Sequence, residues 1–257
     1  MLRAFKKEVI LSIIFPTKNS SKFLNKSIDI LQNQTFKNFK ILVVDGGSKD
    51  DTLKKFKKSS LNIEIISTVD KSFNEGVSRC LGYVKTPYLM IIGDDDEIVD
   101  ESYIEKLINH IKITKSDITF PDYGEIIGEK YYHKEQPKKF DTIYSKVVVP
   151  GIGWIASKKI IGLADFDRSL IACSDYDFLL SLFKKGLKFS RCNGPIYYFR
   201  IGGNSYKNAL TGFKERLKIS LKHGGPRIKI YLNYYLVCVK FLIKYKILSL
   251  VIQTYKV

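Results

Sequence analysis

Apolar positions in the first hundred residues switch between two periods. Unbroken runs at Leu11 to Phe15, Ile41 to Val44, Ile63 to Ile66 and Tyr88 to Ile92 predict short buried strands. Between them the spacing changes to three and four. Phe23, Leu24, Ile28 and Leu31 share one helical face, Leu53 and Phe56 open a second helix, and Tyr103, Ile104, Leu107, Ile108 and Ile111 make the clearest stripe. Strands alternating with helices in this way pair mostly in parallel, with right-handed crossovers and helices on both faces, so the predicted class is α/β. Such sheets bind ligands beyond the carboxyl ends of their strands.

Those ends are acidic. Asp45-Gly46-Gly47-Ser48 follows the second run, and Gly93-Asp94-Asp95-Asp96-Glu97 follows the fourth. Three successive aspartates repel one another unless the loop is fully wet or a cation sits there. One reading is a solvated turn capping the helix that starts near Glu101. The other is a Mg²⁺ or Mn²⁺ site, since these ions need only one or two carboxylates plus the phosphate oxygens of a substrate. Asp45 reads locally as an Asx-type turn. In a single sheet, however, it emerges on the same edge as Asp94 to Asp96, where base and diphosphate of one nucleotide could both be gripped. Neither a GxGxxG nor a GxxxxGK[ST] loop is present.

Composition narrows the partners. The chain has 257 residues, 45% of them apolar, which excludes a disordered or collagen-like protein and allows one or two domains. Cys80, Cys173, Cys192 and Cys238 are widely spaced, without a CxxC pair, and favour a reducing compartment. The basic start Met1 to Lys7 is short and the apolar run after it is interrupted, which does not suit a signal peptide. A net charge of +17 asks for an anionic partner. From Arg200 onward there are twelve Lys and Arg against one acid, Glu215, so +11 of that charge lies in the last stretch.

At the strand-end residues the chain resembles the family 2 glycosyltransferases of the GT-A fold, which build bacterial surface polysaccharides. Leu11 to Asn19 is similar to the family's first strand and Pro-x-x-Asn turn, Val43 to Thr52 to its VDDGSxDxT signature, Asn74-Glu75-Gly76 to its NxG segment, and Ile91 to Asp96 to the strand ending in its DxD motif. The likeness runs over roughly residues 9 to 205. It implies nucleotide-sugar contacts from Pro16, Thr17, Asn19, Asp45, Asp70, Asn74, Asp94, Asp95 and Arg200, with Asp45 on the base and Arg200 near the diphosphate. It also implies Mn²⁺ or Mg²⁺ on Asp96, the first choice, with Asp94. Gly93 stands where the family often has its first acid, so Asp94 and Asp95 share the ribose and second metal roles.

Further along, Phe166-Asp167 and Ala172-Cys173-Ser174-Asp175-Tyr176-Asp177 resemble the FDxxxxxxEDYD stretch, with Ser174 in place of the Glu. By resemblance Asp175 is the catalytic base, and Ser174 and Trp154 meet the acceptor. Displacement at an anomeric carbon does need a carboxylate on the acceptor side to take the hydroxyl proton. The plainer readings are that Ser174 and Asp177 form a capping box, that Trp154 is a core residue and that Arg200 is an ordinary surface arginine. His110, His133 and His223 carry no role.

The family likeness implies an inverting enzyme moving a hexose, glucose or galactose favoured, from a UDP-sugar to a polyprenyl-diphosphate-linked sugar in O-antigen or surface polysaccharide synthesis. Its place would be the cytoplasmic face of the inner membrane. Residues 1–215 form the expected catalytic domain, and 216–257 a basic amphipathic helical tail. Lys229, Asn233, Lys240 and Lys244 fall on one narrow stripe of that tail, and its uncharged runs are too short to span a bilayer. It is therefore expected either to lie on an anionic membrane surface or to pack on the catalytic domain. A nucleotidyltransferase and a non-catalytic scaffold binding lipid or nucleic acid are the alternatives. Nucleic acid is disfavoured because the basic residues interleave with strongly apolar sequence.

Overall fold

The computed structural model describes residues 8–67, 73–134, 140, 142–145, 148–202 and 208–254, the side chains of Phe73 and of 244–254 excepted. All four early strands form: β1 (Leu11–Thr17), β2 (Phe39–Asp45), β3 (Ile63–Ser67) and β4 (Tyr88–Ile91). Helices α1 (Ser21–Asn33), α2 (Thr52–Lys58) and α3 (Phe73–Leu81) connect them, and α4 (Tyr103–Thr114) follows the two-residue strand β5 (Glu97–Ile98). The second half adds β6 (Ile118–Ile127), β7 (Lys130–Lys134), β8 (Ile155–Ser157), α5 (Ser174–Lys184), β9 (Phe189–Arg200), α6 (Ala209–Lys222) and α7 (Arg227–Thr254).

One sheet runs in the order β3-β2-β1-β4-β8-β6-β9-β5, with β7 as a hairpin on β6. The first four strands are parallel, β8 is antiparallel to both neighbours, and β9 runs parallel to β6. This is the α/β architecture of a GT-A fold. Alternate residues of β1 feed opposite cores. Ile14 joins Leu42, Trp154 and Phe178 on one face of the sheet, while Ile13 and Phe15 join Val43, Tyr103 and Leu107 on the other. Register then sets the site, because Thr17 is level with Asp45 and Asp45 with Ser67. Ile14 pairs with Ile91, so the chain three residues on carries Asp94 to the same edge as Thr17.

Burial corrects one expectation. Trp154 is 0% exposed and stacks on Phe178 at 6.3 Å, which stacks in turn on Phe166. Its indole N–H is satisfied by the carbonyl of Gly151 at 2.7 Å, so it offers no face to an acceptor sugar and is a core residue. All four cysteines are free, Cys238 alone of them half-buried, and burial pushes the thiols of Cys80 and Cys173 up to about 12.

The boundary expected between 215 and 216 falls inside α6. Helix α7 is docked on α6 through an edge-to-face pair of Phe213 and Phe241 at 5.4 Å and through buried Ile230. Among the described residues no helix is long and apolar enough to cross a membrane.

Candidate active site

The turns after β1 and β2 are built as one unit. Asn19 adopts a left-handed φ of 54°, a conformation its short amide tolerates. Its N–H donates to Ser48 Oγ at 2.9 Å and its Oδ1 accepts from the Lys49 N–H at 2.8 Å. Asp45, only 2% exposed, accepts from the N–H groups of Gly47 at 3.2 Å and Ser48 at 3.1 Å. The Asx turn is therefore the local geometry, and it holds the Asp45 carboxylate at the edge of the sheet. Pro16 and Thr17 are buried at the end of β1. Asp70 lies in 68–72, outside the described residues.

The acidic loop separates its three aspartates. Asp96 turns inward, accepting from the Tyr197 hydroxyl at 3.1 Å and the Arg200 N–H at 3.3 Å, while the same hydroxyl accepts from the Gly93 N–H at 2.8 Å. Burial first, and then the neighbouring Asp95, push Asp96 up to about 8. A side chain at position 93 would bring its Cβ within 2.5 Å of Asp96 Oδ2, which accounts physically for the glycine there. Asp96 as first choice for metal is thus corrected, because its carboxylate is turned away from the open edge.

Asp94 and Asp95 are the partly exposed pair. Asp94 accepts from the Ser20 hydroxyl. Burial raises both carboxyls above their usual range, and for Asp95 the charge of Asp94 adds to the effect. Two crowded carboxylates that resist ionising are what a hard divalent cation relieves. Among the described residues no group of three or more His, Cys, Asp or Glu could cage a metal. The donor set would suit an ion completed by phosphate oxygens, and Asp95 and Asp94 are the residues that could hold it. Arg200 is anchored beside them. It donates from Nε to the Asp95 carbonyl at 3.2 Å, pairs with Glu97, and lies 5.1 Å from the Phe23 ring centre.

Asp175 stands in the first turn of α5, where the helix dipole favours a carboxylate. Burial nonetheless raises its carboxyl above the ordinary range, against the Tyr176 N–H at 2.8 Å and the charge of Arg216. Gly151 packs directly on this carboxylate, since a Cβ there would meet Asp175 Oδ2 at 1.6 Å. Two residues further on, the Gly153 N–H donates to the carbonyl of Ile91 at 2.8 Å, and Ile152 lies against Gly93. The segment 151–153 therefore touches Asp175 at one end and the acidic loop at the other.

Three expectations around α5 change. Ser174 is not the N-cap; Cys173 takes that position, and the buried Ser174 hydroxyl donates to Asn74 Oδ1 at 2.5 Å. The Asn74 amide donates in turn to the carbonyl of Leu170 at 3.0 Å. Both side chains are consumed in clamping α3 to the loop before α5, so neither Asn74 on the nucleotide nor Ser174 on the acceptor is available as expected. The capping box is also absent, because Asp177 accepts from Lys222 Nζ at 3.0 Å and His223 Nε2 at 2.8 Å instead. Burial opposes ionisation of Asp177, but these two partners together hold its carboxyl below the usual range.

The approach to α5 is held from α6. Glu215 is buried and its carboxylate accepts from the N–H groups of Ile171 at 2.8 Å, Ala172 at 2.9 Å and Cys173 at 3.1 Å. Its one signal in the sequence is that it stands alone as an acid among twelve cations.

Comparison with known proteins gives the family and the fold. The profile of the family described as "Glycosyl transferase family 2" matches residues 12–165. A poly(ribitol-phosphate) beta-glucosyltransferase of Bacillus spizizenii is 28% identical over 204 residues, 74% of this chain, and the chain spans 32% of that relative's length. Among solved structures, S. aureus TarS 1-349 in complex with UDP superposes with a TM-score of 0.66 at 18% identity, covering 83% of this chain and 65% of that one. Glucosyl-3-phosphoglycerate synthase from Mycobacterium tuberculosis, in complex with Mn²⁺, UDP and glucosyl-3-phosphoglycerate, superposes with a TM-score of 0.60 at 16% identity, covering 84% and 81%.

Proposed function

Because the chain belongs to glycosyltransferase family 2, we propose that it is an inverting, metal-dependent hexosyltransferase. The donor is a UDP-sugar, with glucose or galactose favoured. The acceptor is a hydroxyl of a polyprenyl-diphosphate-linked sugar in O-antigen or surface polysaccharide synthesis, met at the cytoplasmic face of the inner membrane. Membership of this family displaces the nucleotidyltransferase alternative. UDP in the TarS structure, and UDP with Mn²⁺ in the mycobacterial synthase structure, support the choice of nucleotide and ion.

The observation that carries the reading is the segment 151–153, which joins the Asp175 carboxylate to the acidic loop. One site thereby contains a carboxylate with raised proton affinity and, separately, a pair of crowded carboxylates. In the reaction, Asp175 takes the proton of the acceptor hydroxyl as its oxygen forms the new bond to the anomeric carbon, and the bond from that carbon to UDP breaks. Mn²⁺ or Mg²⁺ held by Asp95 and Asp94 would stabilise the charge of the departing diphosphate. Asp45 and the turn it closes bind the base, and Arg200 steadies the loop from its rim.

The test is turnover of UDP-glucose, UDP-galactose, UDP-GlcNAc, UDP-GalNAc and GDP-mannose with and without Mn²⁺, read as nucleoside diphosphate release. A synthetic sugar-diphosphate-lipid is the acceptor. Acceptor-stimulated, Mn²⁺-dependent release from one UDP-sugar is the expected result. Release from GDP-mannose alone, or release that ignores the acceptor, overturns the reading.

A further inference from the structure

Helix α7 has two apolar faces, which the stripe of lysines alone does not reveal. At about 100° per residue, Ile230, Tyr234, Val237 and Phe241 share the side turned to α6, where Ile230, Tyr234 and Val237 line a small pocket with Phe213 and Leu217. The opposite side carries Ile228, Leu232, Tyr235, Val239, Leu242 and Ile243, each more than half exposed and Ile228 85% exposed. Isolated apolar residues on a surface need no explanation, but a continuous strip about 22 Å long on one helix marks a contact face.

Charge decides what it contacts. Exposed Lys229 and Lys240 run along one border of the strip and exposed Arg227 begins the other. No Asp or Glu follows Glu215 anywhere in the chain. A second copy laid on this face would set lysine near lysine with no acid from either helix to pair with them. An anionic lipid surface meets both features at once, accepting the apolar strip at its headgroup boundary and the cations at its phosphates. Two tyrosines on the outer side, Tyr231 and Tyr235, suit the same depth.

We propose that the outer face of α7 is a docking surface for an anionic phospholipid bilayer, with the helix lying flat. The inference gives the membrane location proposed above its contact surface and rests on that reading, while the face itself is independent of the transfer chemistry. The path to the site is short. Helix α7 lies on α6, and Glu215 of α6 holds the loop that leads into Asp175. A bilayer under α7 is thus two helices from the base that must meet a lipid-linked acceptor.

Flotation of the full chain with phosphatidylcholine vesicles, with and without phosphatidylglycerol, tests this. The chain should float with the anionic vesicles and at least about tenfold less with the neutral ones. Paired substitution Leu232→Glu with Val239→Glu, both exposed, should lower flotation about tenfold or more while helical circular dichroism and UDP binding stay unchanged. Lys229→Glu with Lys240→Glu should abolish the preference for phosphatidylglycerol. Equal flotation of the chain and the Leu232/Val239 variant overturns the proposal. So does a chain that stays unbound with both vesicles, or one that sediments as a dimer dissolved by that variant. Nucleoside diphosphate release onto a detergent-soluble acceptor, measured on the same variants, reports on the transferase reading separately.

Discussion

The acidic loop after β4 and the first turn of α5 both crowd carboxylates together, and the chain relieves the repulsion differently in each. On α5, Asp177 is paired with Lys222 and hydrogen-bonded to His223, and Asp175 is the acid that Gly151 packs against. In the loop, Asp96 is withdrawn onto a tyrosine hydroxyl and a backbone N–H, and among the described residues no lysine or arginine forms an ion pair with Asp94 or Asp95. A proton acceptor is made by removing the competing charge nearby. Carboxylates left without an ion pair are what the proposed cation would balance.

The largest effect expected is at the base. Asp175→Asn should lower kcat by about 10²–10⁴-fold with UDP affinity unchanged, as measured by steady-state kinetics and calorimetry. The base works only when ionised, and burial raises its carboxyl, so activity should fall as pH drops through a midpoint above the ordinary carboxylate value of 3.8. An acid limb at or below that value would break the contrast between the two acidic regions. Within the loop, Asp95→Ala should weaken Mn²⁺-dependent UDP binding by about 100-fold, and Asp96→Asn by roughly tenfold or less because that side chain acts from behind the loop. Calorimetric titration of UDP with and without Mn²⁺ reads both, and a reversed ranking would return the metal to Asp96. The smallest effect is on stability. Glu215→Ala leaves three N–H groups before α5 without their acceptor and should cost about 1–3 kcal/mol in urea denaturation, with Glu215→Gln costing less.

Periodicity alone located β1 to β4 and the helices α1, α2 and α4, because a parallel sheet buried on both faces writes its strands as unbroken apolar runs and its helices as apolar stripes. Strand register then made the shared edge of Asp45 and the acidic loop inferable. What stayed illegible depended on partners distant in sequence. Asn74 and Ser174 are polar residues at motif positions, yet each is spent on the other, 100 residues apart. Trp154 follows a glycine-rich turn that looks exposed, and only the stack on Phe178 reveals it as core. Asp96 differs from Asp95 by one position, and the difference lies in a hydroxyl from β9. The tail shows the same limit, since its lysine stripe is visible in sequence while the division of its apolar residues between α6 and the surface is not.

The burial of the cysteines makes the molecule chemically addressable. Cys80, Cys173 and Cys192 are enclosed and their thiols pushed up by loss of water, so alkylation at neutral pH is expected to spare them. Cys238 is half-buried on α7, so a maleimide fluorophore marks that one helix of the native protein without any engineered site. Its emission becomes an optical gauge of what surrounds α7.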